Sequence, residues 1–404
     1  MKTENDNKNL NVPNLRFPEF DGEWEKVTLS KVVTRITRKN KNNESRLPLT
    51  ISAQYGLVDQ ISFFNKVVAS ADMSNYYLLK EGEFAYNKSY SSEYPWGAIK
   101  RLDRYPKGAL SSLYICFGIN DNIDSDFIMH YFESSKWHRE VSNIAGEGAR
   151  NHGLLNIAVG DFFNTSHYIP SNNKEQQKIA ALINLITARI DTQIKIIEDL
   201  KKLKSAISNS VFSQEPIAWR RLDTLFDKGK AGGTPSSTNK DYYGRDIPFL
   251  SINDITRQGK YICSTENHIS QLGLKNSSAW IVPANSLILS MYASVGLAAI
   301  NTIPIATSQA MFAMQLKDIK DIDFLYYYLN YFRYRHIHKY LETGTQSNIN
   351  ADIVRGIMIP DYGTDRNIEI SNALLVIDQK IDNESIVLNN YNSTKQYLLS
   401  QMFI

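Results

Sequence analysis

Cysteine is scarce in this chain of 404 residues: only Cys116 and Cys263 are present. Two thiols cannot hold a zinc cluster by themselves, and so few fit a reducing compartment better than a disulfide-framed secreted domain. Long hydrophobic runs are missing as well. No stretch reaches the ~20 consecutive apolar residues that a bilayer-spanning helix needs. The first residues are polar and lack the apolar core of a secretory signal. These absences predict a cytoplasmic protein without a membrane partner. Excess charge is also small, with a net charge of +3. A protein that grips DNA alone through many phosphate contacts is usually more basic, so either the cations concentrate on one face or partners share the grip.

Catalytic patterns are absent too. No phosphate-binding loop of the G-x-x-x-x-G-K-[ST] type occurs; around Gly229 and Lys230, Thr224 stands where the first glycine belongs and Ala231 where the hydroxyl belongs. No Asn-Pro-Pro-aromatic tetrad offers a home for amino-methyl transfer. His336 and His338 are two residues apart and point to different faces of a helix, and no H-E-x-x-H is present. Asp361 followed by Asp378 and Lys380 imitates a metal-dependent nuclease pattern. That chemistry needs the second acid and the lysine on a strand, whereas here they lie in a helical repeat. The expectation is a chain with no catalytic residue and no metal ligand.

What the sequence does contain is a duplication. Residues 172–213 and 364–404 are both helical in period and superimpose at a displacement of 191 positions, Ile179 on Ile370, Ile183 on Leu374, Lys204 on Lys395 and Phe212 on Phe403. The first seam is Ile179, Ile183, Ile186, Ile190, Ile197, Leu200, Ile207 and Val211, with polar breaks at Gln193 and Lys204. The second is Ile370, Leu374, Ile377, Ile381, Leu388, Tyr391, Leu398 and Met402, broken at Glu384 and Lys395. Steps of four and three make a 3.5-residue repeat, the mark of a coiled coil. An antiparallel register suggests itself in which Lys204 faces Glu384, Ile190 faces Leu398, Ile197 faces Tyr391, Leu200 faces Leu388 and Ile207 faces Ile381.

The stretches between the helices repeat more loosely. Trp24 and Val27 match Trp219 and Leu222; Asp126, Phe127 and Tyr131 match Asp323, Phe324 and Tyr328; Ile169 and Pro170 match Ile359 and Pro360. Short β-like runs at 286–290, 297–300 and 311–316 precede or flank the helical stretches. The predicted organisation is α/β (α+β): an N-terminal segment 1–22, mixed domains 23–170 and 215–360, and helices 171–214 and 361–404.

Several loops are rich in groups that contact nucleic acid. Arg35, Arg38, Lys39 and Lys41 cluster early in the first domain, as phosphate contacts or as a solvated charged loop. In the second domain Lys228 and Lys230 lead into Gly232, Gly233, Thr234 and Ser236, where two adjacent glycines let a backbone approach a ligand closely. The 344–348 stretch adds Thr345, Gln346, Ser347 and Asn348, either donors and acceptors of the kind that reach base edges or phosphates or a plain polar turn.

Taken together these residues resemble the specificity subunit of type I restriction–modification enzymes. The resemblance rests on the duplicated helices, on the glycine-rich 232–236 loop followed by 246–254, on the 290–296 run with Tyr292 and Ser294, and on the 344–348 loop. It implies two target-recognition domains, each reading half of a split, asymmetric site in double-stranded DNA. It also implies paired helices that space the domains and dock two methyltransferase subunits, which carry S-adenosylmethionine and methylate adenine. Motor–nuclease subunits using ATP and Mg would join for restriction, and this chain would bind no cofactor. The first domain lacks the glycine-rich loop and reads Arg150 and Asn151 in its late loop, as an unlike half-site requires. The stretch 186–211 is about 39 Å long at ~1.5 Å per residue, against ~34–36 Å for one DNA turn, so the helices could act as a ruler. A scaffold joining two proteins without any DNA role is the competing reading; it gives no reason for donor-rich loops on both halves.

Overall fold

A computed structural model describes residues 11–146, 153–340 and 348–404. The chain divides into two units, Met1–Ile194 with Val387–Ile404, and Lys195–Ile386. The first holds strands β1 (Glu25–Thr28), β2 (Val33–Arg35), β3 (Pro48–Ser52), β4 (Gly56–Asp59), β5 (Tyr77–Lys80), β6 (Phe84–Asn87), β7 (Ala98–Arg101), β8 (Lys107–Leu110), β9 (Ile115–Ile119) and β10 (Ser166–Ile169). They form a β2-β9-β6-β7 sheet, a β4-β3-β8-β5 sheet and a β1-β10 ribbon.

The second unit holds β11 (Ala218–Arg221), β12 (Phe226–Ala231), β13 (Tyr243–Leu250), β14 (Tyr261–Ile262), β15 (Asn267–Ile269), β16 (Ile281–Val282), β17 (Ser286–Ser290), β18 (Ala298–Asn301), β19 (Ile305–Thr307), β20 (Met311–Leu316) and β21 (Met358–Asp361). Its sheets are β12-β20-β17-β18-β14 and β15-β13-β19-β16, with a β11-β21 ribbon. Pairing by pairing this is the first unit again. The β6-β7 hairpin returns as β17-β18, and the parallel β3-β8 pair returns as β13-β19. Only β14, added beside β18, has no counterpart among the described strands.

The sheet that holds β6 in the first unit and the one that holds β17 in the second are middle layers, which explains why their strands read as continuous apolar runs rather than alternating ones. In β17, Leu287 and Leu289 join the cluster under the helices while Ile288 faces the second sheet. In β6, Phe84 and Tyr86 face the helices and Ala85 the second sheet. Cys116 lies in the same layer on β9, and burial pushes its thiol up to about 12; the exposed thiol is Cys263.

The long helices run Asn173–Phe212 and Thr364–Gln401, and the fold is the mixed α/β arrangement with long helices that the repeat predicts. The first begins where Pro170 stops β10 and Asn172 accepts from the Lys174 amide at 3.0 Å. Buried Glu175 anchors it to the domain, accepting from Trp24 Nε1 at 3.1 Å and from Arg16 at 2.8 Å. The second helix has Arg366 at the matching position and cannot offer that acceptor. Accordingly Trp24 is buried while its repeat partner Trp219 is half exposed.

Each helix ends in an aromatic plug. Phe212 packs on Phe324 and Tyr328, with ring centroids 5.9 and 5.4 Å away. Phe403 packs on Phe127 and Tyr131 at 5.3 and 5.8 Å. The matching residues of the two repeats thus make matching contacts.

The helices pair antiparallel within each unit, but not in the predicted register. Lys204 reaches Asp378 at 2.5 Å, not Glu384, which accepts from Lys380 on its own helix. Ile207 and Val211 share a cluster with Leu374 and Ile370 rather than with Ile381 and Ile377. In the first unit Ile179 and Ile183 share a cluster with Met402 and Leu398, so Ile190 is not the residue opposite Leu398. The shift is close to one heptad. A heptad seam matches itself after every seven-residue slip, so the seam alone cannot choose. The aromatic plugs choose, because their sockets lie on the domains, and Asp378, which flanks the seam, supplies the countercharge.

Candidate nucleic-acid interface

In the second unit three separate stretches of sequence meet at one end of the five-stranded sheet, where β12 and β17 finish and β20 begins. The Gly232 amide donates to Met311 O at 3.2 Å and the Met291 amide to Ala310 O at 2.7 Å. The Thr234 hydroxyl donates to Gln309 Oε1 at 2.6 Å. The Ile349 amide donates to Met291 O at 3.1 Å, so Asn348 arrives beside the 291–296 turn. Antiparallel pairing of β20 with both neighbours produces this convergence.

The 291–296 turn is tightly wound. Ala293 and Ser294 have φ of 38° and 52°, and Gly296 has φ of 80°. The buried Ser290 hydroxyl donates to Ser294 O at 2.7 Å and accepts from the Leu297 amide. Left-handed backbone at non-glycine residues costs free energy and concentrates at functional turns. Here it carries Tyr292 out to 40% exposure.

Lys228 and Lys230 alternate along β12 and therefore share a face. Their ammonium groups lie 4.4 and 5.5 Å from the Trp280 ring centroid. The ring's π-face holds two like charges close together. Trp280 and Gln309 are members of this site that the sequence did not disclose, since neither sits in a motif.

Gly232 and Gly233 have a different reason from the expected one. A Cβ at Gly232 would lie 1.9 Å from Thr307 O, and one at Gly233 would lie 2.0 Å from Ser278 Oγ. The close backbone approach is to the protein itself, and it bends the chain off β12 so that Thr234 and Ser236 stay exposed. The 246–254 motif is structural as well: Ser251 and Asp254 form a capping box, and buried Asp254 also accepts from the Glu266 amide at 3.0 Å.

The basic cluster of the first unit separates into two kinds. Arg38 is committed to Glu83 at 2.6 Å and to Leu78 O at 3.0 Å, and Lys39 donates to Asn75 O at 2.8 Å while lying over Tyr77. Arg35, at the end of β2, and Lys41 are exposed.

The same sheet end exists in this unit, and it names a loop the sequence missed. Residues 88–97 connect β6 to β7 as 291–297 connect β17 to β18. Gly97 closes the turn with φ of 77°, as Gly296 does, and its missing Cβ would fall 2.1 Å from Asn87 O. Tyr90 is 42% exposed, close to Tyr292. Its amide donates to Gly153 O at 3.0 Å, and the Leu155 amide donates to Lys88 O at 2.9 Å, so the late loop again meets this turn. Little sequence signal could have found it, because the two turns differ in length and share a tyrosine, a serine two residues later and a closing glycine. Arg150, Asn151, Thr345, Gln346 and Ser347 lie outside the described residues.

The nuclease-like acids do not assemble. Asp361 accepts from the Gly363 amide, Asp378 holds Lys204, and Lys380 pairs with Glu384. Among the described residues no group of three or more His, Cys, Asp or Glu is placed to hold a metal ion, and no helix is long and apolar enough to cross a membrane.

Residues 215–390 match the family described as type I restriction modification DNA specificity domain. The chain is 34% identical over 113 residues to the HindI specificity subunit of Haemophilus influenzae, a match covering 28% of this chain and 24% of that one. It is 32% identical over 117 residues to the EcoprrI specificity subunit of Escherichia coli, covering 28% of each. The matched stretches thus span about a quarter of these relatives' length. In fold the similarity runs further. A type I restriction-modification S subunit from M. genitalium aligns over 97% of this chain and 99% of its own, with a TM-score of 0.57 at 15% identity. A chain from a structure of type I system assembly and conformational transition aligns over 94% and 97%, with a TM-score of 0.60 at 17% identity.

Proposed function

We propose that this chain is the sequence-reading subunit of a type I restriction–modification complex, a reading supported by the match of residues 215–390 to the type I restriction modification DNA specificity domain. It reads a bipartite, asymmetric target in double-stranded DNA, one half with each unit. The observation that carries this reading is the repeated sheet end. In both units an exposed tyrosine turn and a late loop meet at the same edge of the same sheet, with different side chains around them. Equivalent frames with unlike loops are what an asymmetric site requires.

The chain is non-catalytic in this reading. Two methyltransferase subunits, carrying S-adenosylmethionine, dock to it and methylate adenine within the target; motor–nuclease subunits, using ATP and Mg, join for cleavage. Exposed cations such as Lys228 and Lys230 set the DNA register through phosphates, and hydrogen-bonding groups on the turns reach base edges in the major groove. The test is to purify the chain with a methyltransferase subunit of the same system, map the methylated adenines it produces, and measure DNA binding at low and high salt. A single split motif, with binding that weakens as salt rises, is expected. No DNA binding at any salt would favour a protein-joining scaffold.

A further inference from the structure

The repeat also reproduces a groove away from the sheet ends. In the second unit a hollow of about 700 Å³ lies between residues 201–209 of the first long helix and the Ile322–Arg335 helix, lined by Lys201, Lys204, Tyr326, Asn330, Tyr334 and Arg335 among others. In the first unit a hollow of about 710 Å³ occupies the corresponding place. There Asn392, Lys395, Glu133, Trp137 and His138 stand where the repeat puts Lys201, Lys204, Asn330, Tyr334 and Arg335. The hollow therefore belongs to the repeated frame and is not peculiar to one unit.

The charges have diverged. In the first unit Glu133 lines the groove and is held by Lys395 and His130, each at 3.0 Å, with Glu93 and Asp191 nearby in the lining. In the second unit Asn330 replaces that carboxylate, and among the described residues no acid lines the groove. Lys204 has turned to Asp378, which also accepts from the Tyr327 hydroxyl at 2.8 Å. Lys201 and Arg335 remain, the latter steadied by Asn209 at 3.1 Å, and Lys339 follows in the adjoining hollow. His336 registers this field: burial lowers its pKa first, and Lys339, His338 and Arg335 lower it further.

A duplex carries its phosphates on a convex rod and does not fit into a hollow between helices packed ~8–10 Å apart. A single peptide segment does, and tyrosine with arginine is the side-chain mixture favoured at protein interfaces. We infer that the second-unit groove docks an acidic segment of a partner protein, its carboxylates on Lys201 and Arg335 and its apolar side chains on Tyr326 and Tyr334. This rests on the reading above, which supplies a methyltransferase as the partner. The first-unit groove, balanced within itself, takes a less acidic contact, so the two docking events differ in their response to salt.

The experiment measures methyltransferase binding to the full chain and to the K201E/R335E double variant across a salt series, with the neutral K201Q/R335Q pair as a second variant and thermal unfolding to check the fold. Loss of about tenfold or more in affinity at low salt, a flatter salt dependence, and a smaller effect of introducing acids at the matching positions (N392E/H138E) are expected. Unchanged methyltransferase binding by a folded variant overturns the inference. So does loss of DNA binding alone, which would make the groove a nucleic-acid surface. A wild-type chain that binds neither methyltransferase nor DNA overturns the functional reading itself.

Discussion

His167 is sealed in the first unit between Tyr131 and Thr165. The Thr165 hydroxyl already donates to Phe162 O at 2.7 Å, so His167 Nε2 donates to it at 2.8 Å and Nδ1 accepts from the Tyr131 hydroxyl at 2.7 Å. A neutral imidazole satisfies both contacts. Burial lowers the His167 pKa to about 4. The unfolded chain therefore binds a proton that the folded chain refuses between roughly pH 6.5 and 4, and stability falls as pH falls through that window. The contribution is at most about 3 kcal/mol. Chemical denaturation of wild type and His167→Gln should show a shallower acid loss in the variant; equal slopes would assign the loss to other groups. Glycine offers a second test at this scale. Gly232→Ala places a methyl against the Thr307 carbonyl and should cost about 2 kcal/mol or more, read as a lower denaturant midpoint. Gly160→Ala meets nothing within 4 Å and should be neutral or slightly stabilising.

At the scale of the element, the helix register is the quantity that sequence leaves degenerate. Lys204 and Asp378 lie together in the second unit. Lys204→Asp should lower the denaturant midpoint of the second unit, and adding Asp378→Lys should restore it while adding Glu384→Lys should not; rescue by Glu384→Lys alone would restore the register in which seam breaks face each other. The polar breaks do not fix the register, because neither faces the other across the pair. The countercharge in fact comes from Asp378 beside the seam, and the plugs Phe212 and Phe403 fix the offset from outside it.

Exchanging residues 88–97, or Tyr90→Ala, should change one half of the methylated motif and leave the other half intact. Tyr292→Ala or Thr234→Ala should do the opposite. Sequencing of methylated adenines distinguishes the outcomes, and a change in both halves from one substitution would break the assignment of one half-site to each unit. One heptad inserted within 193–204, matched by one within 384–395, should alter the gap between half-sites while sparing both halves; a fixed gap would remove the ruler idea.

Much was legible in the residues alone, because duplication leaves two records of one design. The paired helices, the aromatic matches Phe127 with Phe324 and Tyr131 with Tyr328, and the strands at 286–290 and 311–316 all follow from periodicity and residue type. The tertiary structure decided what periodicity cannot encode. It selected one heptad register among equivalent ones through sockets distant in sequence. It spent Arg38 and Lys39 on internal partners, gave the paired glycines a packing reason, and brought Trp280 and Gln309 to Lys228 and Thr234 across 50 or more residues of chain. It also matched the 88–97 turn to 291–297. Turns diverge in sequence while the hairpins beneath them keep their hydrogen bonds, so only the strand pairing could show that the two loops occupy the same place.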